Sequence, residues 1–169
     1  LNRDTPNKQL GELFRNKDFR IALSISIDRN SIAQLVYRGF AEPVPYTVHT
    51  YSQFYPEGLG KPYIEYQPEK AKELLDNLGL KDTDGDGVRE FENGEPIQVV
   101  AYGATEKTAF NEMLELIKEQ WSEVGIELNF KLFQVTTFKA KLEEDFPQDI
   151  NIWGMAGALN PLIRGDRYA

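Results

Sequence analysis

IQVVAYGATEKTAFNEMLELIKEQWSEVGIELNFKLFQ, residues 97–134, decides the fold. Ile97 to Tyr102, entered from Pro96, is a short apolar run rich in β-branched residues, which reads as a strand. Over 106–124, Phe110, Met113, Leu114, Ile117, Trp121 and Val124 recur at helical spacing, and Gly125 closes the run. Ile126, Leu128, Phe130 and Leu132 then alternate with Glu127, Asn129 and Lys131, so 126–133 is a half-buried strand. Strand, long helix and strand within about forty residues make a βαβ unit, whose two strands run parallel with a right-handed crossover.

The pattern extends in both directions. Downstream, an amphipathic helix carrying Phe138 and Leu142 leads to a last strand at 149–154, DINIWG. Upstream, NKDFRIALSISID (16–28) places Phe19, Ala22, Leu23 and Ser26 at helical spacing, with Ile25 and Ile27 widening the apolar face. Asp28 and Asn30 are N-cap types, and Ile32, Leu35 and Val36 form a second stripe ended by Gly39, so two helices meet at IDRN. Pro43, Pro45, Pro56 and Pro62 leave 40–66 without a long regular element. Pro68 opens a helix with the stripe Ala71, Leu74, Leu75, Leu78 and a C-cap at Gly79. The class is α/β, a mixed sheet flanked by helices. Phe19, Leu23, Leu74, Leu75, Leu78, Leu114, Ile117, Val124, Ile126, Leu128 and Ile150 are the expected core.

At 169 residues this is one folding unit. A net charge of −8 with no Lys/Arg run argues against nucleic acid, which needs a clustered basic surface. Cysteine is absent, and with it any disulfide framework, thiol nucleophile or Cys-bound zinc. His49 is the sole histidine, so neither a Ser-His-Asp triad nor a multi-His metal site is available within the chain. No GxGxxG follows a strand, and no GxxxxGK[ST] occurs. The rings of YTVHTYSQFY (46–55) either stack on a ligand or pin a loop, and the RGD at 164–166 is too short a match to carry meaning. No apolar run reaches the roughly 20 residues of a membrane span. The first residues are not a signal peptide, and the abrupt ends suggest a piece excised from a larger protein.

KDTDGDGVREFENGE (81–95) is an acidic connecting loop. Against a calcium-binding EF-hand loop, Asp82, Asp84 and Asp86 fill positions one, three and five, Gly87 the turn at six, the Val88 carbonyl position seven and Glu90 position nine. Position twelve is Asn93 instead of a bidentate Glu, and Arg89 replaces the apolar residue at eight. No helix follows, so this is not a paired sensor. A structural calcium on Asp82, Asp84, Asp86, Val88 and Glu90, or a turn in which Asp side chains cap backbone N–H groups, are the two readings. No other cofactor is indicated.

KDFRIALSISIDRNSIAQLVYRGFAEP, YQPEKAKELLDNLGL, DTDGDGVREFENGEPIQV and LIKEQWSEVGIELNFKLF, in that order, resemble the second lobe of solute-binding protein family 5, the binding proteins of peptide and nickel ABC importers. The resemblance covers residues 17–153. It implies one lobe of a bilobal, periplasmic-binding-protein type II fold, with 1–169 as a single lobe and both the N-terminal LN and DINIWG near the hinge. It implies a monomeric lobe with no catalytic residues, whose full protein captures a peptide or oligosaccharide in the periplasm or outside the cell and delivers it to an ABC permease in the membrane. Ligands of open α/β sheets sit beyond the strand ends, which selects Tyr102, Gly103 and Thr105 after one strand and Trp153, Gly154, Met155 and Asn160 after another. Many peptide-binding members place an acid shortly after that tryptophan to pair with a free amino terminus, and the corresponding residue here is Ala158. A transferase-like enzyme lobe and a calcium-stabilised structural module remain the alternative readings.

Overall fold

A computed structural model describes residues 1, 5–44, 53, 55, 62–105, 109–143 and 149–152. The elements run α1 Lys8–Arg15, α2 Lys17–Ile25, α3 Arg29–Leu35, α4 Pro68–Asn77, β1 Gln98–Ala104, α5 Ala109–Ser122, β2 Glu127–Phe133, α6 Val135–Glu143 and β3 Ile150–Ile152. The strands lie in the order β2-β1-β3 and all pair in parallel. The antiparallel component of the expected mixed sheet is confined, among the described residues, to bridges of Glu90 with Lys81 and Pro96. Parallel neighbours need crossovers, and α5 and α6 provide them.

Register separates the two faces of the sheet. Val99 pairs with Leu128, Ala101 with Phe130 and Ile150, and Gly103 with Leu132 and Ile152, so one apolar face points into the core. That face meets α5 through Leu114, Ile117 and Trp121, and the helical layer of α2 and α4 through Phe19, Leu23, Ala71 and Leu75. Trp121 buries its indole there and donates Nε1–H to the Leu23 carbonyl at 3.2 Å, tying α5 to α2. The opposite face carries Tyr102, Lys131 and Phe133, and α6 packs against β1 and β2 with Phe138 buried.

Seven of the eleven expected core residues are buried, while Leu74, Leu78, Ile117 and Ile150 are half-buried at its margin. The expected helix at 106–124 is described from Ala109, and the expected strand at 149–154 from Ile150 to Ile152; residues 106–108 and 153–154 lie outside the described set. Helix α1 is an addition to the sequence reading. Asn7 caps its start by accepting from Leu10 N–H, Leu10 and Phe14 bury its inner side, and Asn16 both ends it and caps α2. Asp28 caps α3. Burial alone would raise its carboxyl, but the Ser31 hydroxyl and the N–H groups of Ser31 and Asn30 together hold it below the usual carboxylate range.

Two outcomes follow from this packing. A β-carbon on Gly103 would lie 3.0 Å from the Ile152 carbonyl oxygen and 3.0 Å from Leu132 Cδ2. Gly103→Val should therefore destabilise the chain by about 1–3 kcal/mol in urea unfolding, and an unchanged midpoint would show that the sheet has room. Asp28→Ala should cost about 1 kcal/mol at neutral pH. Because the folded-state pKa is lowered, the charge contributes stability above the ordinary value of 3.8 and loses it as pH falls through the lowered one. The gap between wild type and variant should thus narrow in melts below that pH.

Candidate functional site

The carboxyl ends of the three strands finish along one edge, with Ala104 opposite Phe133 and Gly103 opposite Ile152. Thr105, just past the edge, is exposed, and its N–H closes the last rung on the Phe133 carbonyl at 2.8 Å. Tyr102 is half-buried and meets Phe133 edge-on, with ring centroids 5.3 Å apart and planes at 77°. Lys131 and Lys141 hold their ammonium groups 5.3 and 5.2 Å from the Phe133 ring centroid. Such an assembly offers ring surface for stacking and positive charge for carbonyl or carboxylate oxygens.

Of the expected ligand residues, Tyr102, Gly103 and Thr105 thus gather at one strand end. Trp153, Gly154, Met155 and Asn160, together with Ala158, lie outside the described residues. Gly103 is buried, and its missing side chain lets β3 approach β1. Phe133, Lys131 and Lys141 were missed by sequence reasoning. The signal was present in Phe133, an aromatic on the polar phase of an otherwise regular alternation.

A second cluster lies at the acidic loop. Asp82, Asp84, Asp86 and Glu90 each bring an oxygen to within 4.8 Å of the others, and only Glu90 is buried. Asp82 accepts from Gly85 N–H at 2.7 Å and Gly87 N–H at 2.9 Å, Asp84 from Asp86 N–H at 3.1 Å, and Asp86 from Val88 N–H at 2.7 Å. Gly87 makes the turn at φ +92°, a conformation that disfavours any side chain. Glu90 accepts from the Thr83 N–H and hydroxyl at 2.7 and 2.8 Å. Asn93 is engaged elsewhere: its side-chain oxygen accepts from Glu95 N–H at 3.1 Å. Arg89 anchors the loop, bonding Asp76 at 2.6 Å, the Val124 carbonyl at 2.8 Å and the Leu80 carbonyl. The oxygens present suit a hard cation such as calcium, and the same loop is self-satisfied as a turn.

Residues 2–161 match the family model described as bacterial extracellular solute-binding proteins, family 5 Middle. The chain belongs to that family. It is 30% identical over 136 residues to the oligopeptide-binding protein AppA of Bacillus subtilis, covering 80% of this chain and 24% of AppA. It is 29% identical over 128 residues to the periplasmic alpha-galactoside-binding protein of Rhizobium meliloti, covering 73% of this chain and 18% of that protein. Among solved structures, an oligopeptide-binding protein OppA superposes with a TM-score of 0.85 at 25% identity, over 95% of this chain and 25% of that one. The chain therefore spans about a quarter or less of the length of these three relatives. The type II periplasmic-binding-protein class expected from the four motifs holds, with a parallel sheet between helices. Among the described residues no helix is long and apolar enough to cross a membrane.

Melting with millimolar calcium against chelator separates the two readings of the loop. Calcium held by Asp82, Asp84, Asp86, the Val88 carbonyl and Glu90 should raise the midpoint, and Asp84→Ala should abolish the rise. An unchanged midpoint means that the loop is only a turn.

Proposed function

We propose that this chain is the ligand-binding lobe of an ABC-importer substrate-binding protein. The full protein captures an oligopeptide or oligosaccharide outside the cytoplasmic membrane and delivers it to the permease, without turnover. The carrying observation is the strand-end edge where Tyr102, Thr105, Phe133, Lys131 and Lys141 gather, in a chain matched by the family model over residues 2–161. Carboxyl ends of parallel strands are where open α/β sheets receive ligands. Half-buried rings present apolar faces to a sugar ring or a peptide side chain, and the lysines supply donors to its oxygens.

Relatives named for oligopeptides and for alpha-galactosides both support the reading, and they divide on solute class. Ala158 favours a ligand without a free amino terminus, because a methyl group cannot pair with an ammonium ion. Oligosaccharides and blocked peptides fit this better than free peptides. Calorimetry of the full-length protein with a free-amine nonapeptide, its N-acetylated form and stachyose decides the class. Stachyose or the blocked peptide should bind more tightly than the free peptide, and tight binding that requires the free amine would refute the assignment. Tyr102→Ala should weaken the preferred probe by about tenfold and, because the ring also packs on Phe133, lower the melting midpoint modestly. Incubation with any of the probes should leave it chemically intact.

A further inference from the structure

Asp149 stands one residue before β3 and is only 6% exposed, although it carries a carboxyl group. Its N–H donates to the Val100 carbonyl at 2.9 Å. Its Oδ2 accepts from the Val100 N–H at 2.7 Å, and its Oδ1 accepts from the hydroxyl of Thr5, which is also buried. One residue therefore satisfies both polar groups of the Val100 backbone, with a side-chain oxygen standing where the ladder would otherwise use a carbonyl.

Three features give this arrangement a role beyond satisfying a buried acid. Among the described residues β3 pairs with β1 at Ala101–Ile150, Tyr102–Asn151 and Gly103–Ile152, a register that sets the exposed Asn151 beside Tyr102 on the face that carries Lys131 and Phe133. A slip by one residue would turn Ile150 and Ile152 away from the core they pack against and bring Asn151 toward it. The Thr5 donor, moreover, comes from 144 residues away in sequence, so the same carboxylate fastens the incoming segment to the sheet.

We infer that Asp149 is a positioning residue for ligand capture. Its carboxylate fixes the alignment of β3 on β1, and thereby holds Asn151 beside Tyr102 on the face that carries Lys131 and Phe133. The functional half of this inference rests on the importer reading; the alignment half does not.

Full-length protein carrying Asp149→Ala, Asp149→Asn or Thr5→Val tests it. Asparagine keeps an acceptor for Val100 and can donate its amide N–H to the Thr5 oxygen, whereas alanine does neither. The Val100 amide should exchange rapidly with solvent in Asp149→Ala and stay protected in Asp149→Asn. Affinity for whichever of the nonapeptide, its acetylated form or stachyose the wild type binds should fall by about tenfold in Asp149→Ala, and by less than about threefold in Asp149→Asn, with Thr5→Val between. Wild-type affinity in Asp149→Ala would overturn the inference and leave the importer reading standing. Equal losses in the alanine and asparagine variants, or unchanged Val100 exchange, would also overturn it. Wild-type protein that bound none of the three probes would instead sink the importer reading, and the functional half of this inference with it.

Discussion

The central strand has to be satisfied on both sides by strands distant in sequence, and the lobe is organised around that constraint. β1 lies between β2 and β3, and the backbone groups on its two edges find partners only after α5 and α6 have crossed the sheet. No hairpin can supply a parallel neighbour. The helices are therefore the means by which β1 is paired, as well as the cover on its faces. The Trp121 indole bonded to the Leu23 carbonyl extends the constraint, since it fixes the first crossover helix against the α2 layer.

The acidic loop depends on the same frame through Arg89. This side chain reaches Asp76 and the Leu80 carbonyl near the end of α4 and the Val124 carbonyl just after α5, while its own main chain pairs with Gly125 and Ile97. An apolar residue at this position could make none of these polar side-chain contacts. The arginine side chain instead ties the loop to two other segments, the end of α4 and the turn after α5, and the exposed Asp76 partner contributes less than the carbonyl contacts, which lie in less solvated surroundings.

Much of this was legible because it is local and periodic. The alternation from Ile126 to Leu132, the stripe from Ala71 to Leu78 and the spacing of three aspartates each report one element without reference to any other. Helix α1 was equally local, with Asn7 before Leu10, Leu13 and Phe14, but its stripe is confined to the eight residues of Lys8–Arg15. The pairing of Asp149 with Val100 and Thr5 was not legible. A carboxylate at the head of a strand reads as a turn residue, and only the fold brings position 5 to it. The cluster around Phe133 lies between these cases: its odd phase was visible in the sequence, whereas the arrival of Lys141 required α6 to be placed on the sheet. At the candidate site, Tyr102 and Thr105 were accessible to strand-end reasoning because β1 ends where its hydrophobic run ends.

The acidic loop also leaves and returns to the fold at nearly one place. Glu90 bridges to both Lys81 and Pro96, and Glu90 N–H bonds the Lys81 carbonyl at 3.0 Å. The base is thus stapled shut beneath a solvent-facing crown at Asp84 and Gly85. A crown above a closed base can change in length without transmitting strain to α4 or β1. For the engineer, it is a mounting point for a fluorophore or an inserted reporter domain, at the amino end of β1 and away from the strand-end edge where Tyr102 and Thr105 lie.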